Sequence, residues 1–517
     1  MISNIFKKDV RLLWHYALGL AAVQALSTVL LHRMDHAVQA LPSMHQLQSL
    51  IEWSALLGAA LLIAAVVHLD AIPGVRQDWL VRPIKRRDLL AAKLLFVILM
   101  VQGPVLITSW AGAVAEGFAW ERSLGAALSH SLASLLFLYL PVMGFASLTR
   151  NFAETTVGVV IGVATLAGLV QVVSMIPFTG GTGNVSGTGS GWLLAMALGL
   201  ILLFGAAAVI AIQYFRRKTL WARGLTIVTG LLLLLEALVP WKPVFAIEQR
   251  LSPKPGAASN VRLEFQPSLG KHQRSGGGPP LDRRYDSRFE LVIPVGVSGL
   301  QPDTILVGDL VTAKLRRPDG WTDLGLAASW HILNEGPSTG DRAFFTPVYT
   351  KDDLYTKLKD QRVRLEIDYS LTLLRLSEAH AIPAIGDPQM IPGVGRCGTT
   401  VNPAGTAVQI KCIEAGMRVA PSCMTYFLED MPTGKRNPVV PRCWPSYMPF
   451  FAEIQPDAMM RFGSATLPFH DPSGLAHFPV DAPQIKDSRV VMRIYKPEEH
   501  FTRQVVIPDI RLSDWLP

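Results

Sequence analysis

Charge is scarce in this chain, and scarcest where apolar residues are densest. Only 17% of its 517 residues are charged while half are hydrophobic, against about a quarter charged in an ordinary soluble domain. Residues 1–240 hold 16 of the 48 Lys and Arg and 10 of the 40 Asp and Glu, so the deficit lies in the first half. Cysteine is absent from the first 396 residues, and its four copies, Cys397, Cys412, Cys423 and Cys443, fall within one stretch of the second half. No C-x-x-C pair is present, which argues against a zinc site and for two disulfides in an oxidising compartment. Of the three possible pairings, Cys397–Cys412 with Cys423–Cys443 is preferred.

Catalytic signatures are missing too. There is no H-E-x-x-H for a zinc peptidase, no G-x-S-x-G nucleophile elbow and no G-x-x-x-x-G-K-[ST] phosphate loop. The chain is therefore not expected to hydrolyse ATP itself, and no metal site or catalytic residue is nominated. The histidines of the second half are scattered singly, as surface or packed residues usually are. The Gly-rich run TGGTGNVSGTGSG (179–191) lacks the Lys-Ser/Thr ending of a phosphate loop and reads as a flexible connection, as does RSGGGPP (274–280).

What is present is a series of apolar windows about 20 residues long, enough to cross about 30 Å of hydrocarbon. Seven candidate spans lie at roughly 12–31, 51–70, 89–114, 124–148, 154–176, 192–214 and 223–240. The first is read as a retained span and not a signal peptide, with residues 1–14 as a short interfacial helix or a basic tail before it. With the N-terminus inside, fourteen Lys and Arg fall in inner segments, and only Arg33 and Arg122 in outer loops before the last span. That asymmetry satisfies the positive-inside rule and places everything after Pro240 outside the cytoplasm.

Beyond Pro240 the hydrophobic period changes to two. Val363, Leu365, Ile367, Tyr369 and Leu371 alternate with polar residues, and the same alternation recurs at 261–265, 289–297, 408–412 and 490–494. Such runs are half-buried strands. The expected fold is a polytopic α-helical membrane domain (1–240) followed by an all-β, sandwich-like extracytoplasmic domain (241–517), which divides into two modules near residue 376 if it is not one.

Inside the spans the polar inventory is Gln24, Gln102, His130, Gln171 and Glu236. His130 and Glu236 are expected near the outer ends, where water reaches them. Polar groups at depth face cavities or other helices, so Gln24, Gln102, His130 and Gln171 are candidates for a translocation path. Gly158 and Gly162 form a small-xxx-small pair that permits close helix packing.

The stretch DWLVRPIKRRDLLAAKLLF (78–96) concentrates cations between spans two and three. Topology and anionic lipid account for the charges alone, at about 1 kcal/mol per cation. Asp88 can cap the following helix. The phrase W-L-x-R-P-I-x-R-R-D-L-L-x-A-K-L, the basic segment before span one, and ASLTRNFAETTVGVVIG (146–162) together resemble permeases of the type-2 ABC exporter superfamily. The resemblance covers about residues 1–240. It implies a six-span core, a second permease subunit (homo- or heterodimer), and a separate cytoplasmic ABC ATPase that binds ATP and Mg. It makes Arg82, Pro83, Lys85, Arg86, Arg87 and Asp88 the ATPase-coupling loop. A seventh span and a large outer β domain depart from the simplest members. The expected function is transport of an unidentified substrate across the cytoplasmic (inner) membrane. The rival is an envelope binding or sensor protein merely anchored by its spans. Membrane lipid is an expected partner; nucleic acid is not.

Overall fold

The computed structural model describes residues 1–36, 42–70, 85–149, 151–158, 161, 191–237, 241–269, 288–317, 320–327, 332–333, 343–392, 394–415, 423–443, 460–469 and 478–515. Two halves follow one another. The first is helical: α1 (Ile2–His36), α2 (Pro42–His68), α3 (Arg86–Phe96), α4 (Gly103–Ala115), α5 (Trp120–Ser134), α6 (Leu140–Ala146), α7 (152–158), α8 (Gly191–Ala211) and α9 (Thr219–Ala237). Wider π turns join α3 to α4 (Val97–Gln102), join α5 to α6 (Leu135–Tyr139), and extend α8 (Ile212–Arg216).

Among the described residues five helical stretches are long and apolar enough to cross a membrane: Ile2–Leu30, Leu50–His68, Arg86–Ala115, Trp120–Ala146 and Met196–Arg216. They fit a membrane-embedded protein. A shorter apolar helix, Thr219–Leu235, stands where the seventh span is expected. Most of the fifth expected span, with Gly162 and Gln171, lies outside the described residues. So do residues 71–84, including Arg82 and Pro83, and the runs 179–190 and 274–280.

The start of the chain differs from expectation. Residues 2–14 are neither a separate short helix nor a loose tail but the first turns of an unbroken 35-residue α1. The reason is burial: Ile5, Asp9, Leu13, Ala17, Leu20, Gln24 and Ser27 fall three or four residues apart and are all buried, so one continuous stripe faces the neighbouring helices.

The second half opens with a short helix, α10 (Trp241–Arg250), and is otherwise mostly β. Its strands are β1 (Arg262–Phe265), β2 (Arg288–Ser298), β3 (Thr304–Arg317), β4 (Gly320–Ala327), β5 (Ile332–Leu333), β6 (Ala343–Lys351), β7 (Arg362–Pro383), β8 (Gly386–Ile391), β9 (Gly395–Val401), β10 (Ala407–Ala415), β11 (Cys423–Asp430), β12 (Val440–Cys443), β13 (Met460–Pro468) and β14 (Ser488–Arg511), with a helix α11 (Asp352–Leu358) before β7. They form sheets in the orders β1-β2-β6, β13-β10-β9-β8 and β12-β11-β14-β7-β3-β4, with β5 also on β3.

The long antiparallel pair β7–β14 is the spine of this half. β7 runs unbroken through residue 376, and the two larger cores among the described residues of this half lie along it. One contains Val363, Leu365, Ile367, Tyr369, Leu371 and Leu373 with Val505 and Ile507. The other contains Ile382, Val408, Ile410, Met424, Val490 and Met492. Period-two alternation explains the first: odd-numbered β7 residues share a face, and that face is buried. Cys397 and Cys412 are disulfide-bonded and directly opposite one another on β9 and β10. Cys423 is also disulfide-bonded, and Cys443 is its register partner across β11–β12.

Candidate functional site: a buried ion cluster behind a basic helix start

Lys85, Arg86 and Arg87 are exposed and Asp88 is half-buried. Lys85 occupies the N-cap position of α3 in an extended conformation, with no side-chain cap. Asp88 therefore does not cap. It lies in the first turn, where its charge favours the helix dipole. Arg86 and Arg87 at the first two helical positions oppose that dipole, at about 0.3–1 kcal/mol each. Helix stability does not explain their presence. Arg86 has a compensation: its guanidinium donates to the Phe215 carbonyl, in the last turn of the α8 helix where carbonyls lack helical partners.

Seven residues along α3, about 10 Å further on, Lys93 is fully buried. Its ammonium lies 2.8 Å from Asp9 Oδ2 on α1 and also pairs with Asp70, just beyond α2. Lys8 donates to the same Asp70 and lies 3.6 Å from Asp9. Asp9 and Asp70 are themselves 0% and 4% exposed. Two cations and two carboxylates thus form a neutral cluster tying three chain segments together. Ionisable groups at such depth persist only when paired, and here one buried ammonium serves both carboxylates while Lys8 gives Asp70 a second partner. Tyr214, on the π turn after α8, is buried close enough to Asp70 and Asp9 to feel both charges. The cluster borders an apolar core that includes Leu13, Phe96, Tyr139 and Met143.

Farther along the bundle are uncharged polar side chains that are also buried. Gln24 on α1 and Gln102 at the end of a π turn are 2% and 4% exposed. Neither amide finds a hydrogen-bond partner among the described residues. His130 is 0% exposed, so water does not reach it as expected; it lies on the buried face of α5 with Ala127, Ser131 and Ser134. Gln24 lies about 22 Å along α1 from Asp9, and Gln102 about 13 Å along its helix from Lys93. The two glutamines are therefore at different depths from the charged cluster and from each other. Gln171 and the Glu236 side chain lie outside the described residues. Gly158 faces Phe145, whose ring would be 2.9 Å from an added Cβ, a close approach within one chain.

The β half touches the helical half where α4 turns into α5. Arg396 Nη1 on β9 donates to Glu116 Oε2 at 3.1 Å and to the Glu116 carbonyl at 3.2 Å, and Glu116 is 1% exposed. Beside this contact Ile413 of β10 packs on Ala113 and Ala127. A second buried polar row crosses the spine sheet. Thr372 donates to Asp309, its Oγ1 is 2.8 Å from His500 Nδ1, and the His500 amide donates to Ser252 Oγ at 2.9 Å. Asp309 lies at a β-bulge in the β3–β7 pairing, the irregularity that turns its side chain onto Thr372. Burial pushes the Asp309 carboxyl up to about 7 and the His500 imidazole down to about 4. Phe245 of α10 packs edge-on against His500, with ring centres 6.1 Å apart. Among the described residues no group of three His, Cys, Asp or Glu is placed to hold a metal ion.

Sequence reading counted Lys8 and Lys93 as topological cations and passed over Asp9 and Asp70. A signal existed: Asp9 and Lys93 occupy positions that helical spacing assigns to the apolar stripes of their helices. No protein-family model and no curated protein matches this chain.

Proposed function

We propose that this chain is a membrane-spanning, non-catalytic permease subunit of an ATP-driven exporter. In this reading the N-terminus is cytoplasmic and the β half faces the periplasm or exterior. The chain pairs with a second permease subunit, and a separate cytoplasmic ATPase carries ATP and Mg. One observation carries the reading: an exposed cationic helix start is bound through Lys93 to both Asp9 and Asp70. A partner that pushes on Lys85 and Arg87 moves α3, and buried ion pairs resist separation, so α1 and the end of α2 move with it. A load applied at one surface thus shifts three helices, as alternating access requires of a bistable bundle.

The cluster also refines the choice of test. Arg86 holds the end of the α8 helix, so reversing it perturbs packing. Lys85→Glu with Arg87→Glu reverses charge on exposed side chains only. The tagged protein is purified from its own host in mild detergent and its companions identified. A near-stoichiometric Walker-A protein, lost in K85E/R87E, supports the permease reading; an unchanged companion removes those residues from the coupling surface. The second reading, an anchored binding protein, draws on the two self-contained cores of the β half. It is favoured if no ATPase accompanies the chain.

A further inference from the structure

Between α6, α8 and α9 runs an apolar crevice of about 250 Å³, bordered by Gly144, Phe145, Leu202, Val209, Gly230 and Leu233 among others. Its floor is set by glycine: a Cβ at Gly205 would lie 2.6 Å from Thr229, so α8 and α9 approach closely there and the larger side chains flank the gap. The two hydroxyls on its wall are already used, Thr226 donating to the Ala222 carbonyl at 3.0 Å and Thr229 to Leu225 at 2.9 Å. The crevice therefore offers a guest no free hydroxyl proton, and its lining is almost wholly apolar. A gap without partner atoms loses dispersion contacts along its whole lining, and the crevice lies on helices that a bilayer would solvate.

One end of the crevice is strongly basic. Arg223 is one turn before Thr226 on α9, and its guanidinium donates to the Leu148 carbonyl at 3.1 Å, just beyond α6. The turn Arg216, Arg217, Lys218 between α8 and α9 is exposed. Glu154, 3.2 Å from Arg223, is the acidic side chain paired there, leaving four cations against one carboxylate. Trp221 is 72% exposed at the same level, as aromatic side chains are at a headgroup boundary.

We infer that the crevice holds an acyl chain of an anionic phospholipid whose phosphate is bound by the Arg216–Lys218 turn and Arg223. The apolar slot selects a hydrocarbon chain, and the excess of cations at its mouth selects an anionic headgroup over a zwitterionic one. This rests on the membrane-embedded reading of the helices and not on transport or on any ATPase.

The test uses the full chain, delipidated in neutral detergent and titrated separately with phosphatidylglycerol, phosphatidylcholine or inorganic phosphate, with retained ligand read by native mass spectrometry. Phosphatidylglycerol should be retained at least tenfold better than phosphatidylcholine. R217E/K218E should abolish that preference. Gly230→Leu fills the crevice from a position where an added Cβ meets nothing within 4 Å, and it should weaken both lipids at least tenfold with unchanged circular dichroism. Equal retention of the two lipids, or full retention by G230L, overturns the inference. Inorganic phosphate retained as well as phosphatidylglycerol leaves only a headgroup site and overturns the acyl-chain assignment. Dissociation of a dimer by G230L, with lipid binding unaffected, gives the crevice to a second copy. A chain that copurifies with no ATPase, yet behaves as expected here, rejects the permease reading alone.

Discussion

Replacing Lys93 with Met tests whether the buried ion cluster holds the helical half together. The Lys93 side chain is 1% exposed and faces two carboxylates that are 0% and 5% exposed. Met keeps much of the volume but removes the cluster's one buried cation. Asp70 retains Lys8, whereas Asp9 is left with a Lys8 ammonium 3.6 Å away on a half-exposed side chain. Removing one partner of a buried pair costs about 3–5 kcal/mol, because the remaining charge stays desolvated. K93M should therefore lower the apparent unfolding temperature of the detergent-solubilised protein sharply, measured by fluorescence-detected size exclusion after heating. The Cys397–Cys412 region should hold its protease resistance, since its core is separate. D9N/K93M restores neutrality, leaving Lys8 with Asp70, and should recover most of the loss. Equal stability of K93M and the parent, or no recovery in D9N/K93M, refutes the reasoning. The full single-mutant penalty with unaltered companion binding in K93M would make the cluster structural only.

The Asp309–Thr372–His500 row predicts two opposed pH responses. The Asp309 carboxyl, raised from 3.8 to about 7, contributes stability that is lost as pH rises through this window; His500, lowered from 6.5 to about 4, contributes stability that is lost as pH falls. Between pH 4 and 6.5 the slopes cancel, so hydrogen exchange of the full-length protein should give a nearly flat opening free energy for the β7–β14 amides. D309N unmasks the histidine and should lose up to about 3 kcal/mol as pH falls from 6.5 to 4, whereas H500Q should lose stability as pH rises toward 7. A D309N profile as flat as the parent's is incompatible with a buried neutral His500. At the junction of the halves, R396A takes a cation from the buried Glu116 and should cost about 1–3 kcal/mol. Exchange should quicken at residues 116–120, and E116Q/R396A should lose less than the two single changes summed.

Several elements were legible because their cause is local. A helix crossing hydrocarbon needs about 20 apolar residues, so the windows near 51–70, 89–114, 124–148 and 192–214 each contain a long apolar helix. A strand with one buried face alternates, so four of the five period-two runs lie within strands and the fifth, 261–265, overlaps β1 from Arg262 on. The ion cluster was not legible in the same way. Lys93 lies 84 positions from Asp9 and 23 from Asp70, and although helical spacing puts Asp9 and Lys93 on apolar stripes, nothing local says which residues they pair with. The Asp309 bulge and its contact with Thr372 likewise depend on the pairing of β3 with β7.

The sequence by itself determined that the chain divides into an apolar helical half and a cysteine-bearing β half, because hydrophobic period and composition are properties of consecutive residues. Only the tertiary structure decided which polar residues leave water together. Asp9, Asp70 and Lys93 are individually unfavourable in a core; each carboxylate is tolerated because Lys93 is brought to it, and Lys93 because both carboxylates are. Arg396 and Glu116, 280 residues apart, join the halves for the same reason. Desolvation is a cost set by each residue's own position, whereas its compensation comes from distant segments, and the packing of those segments is what sequence order does not contain.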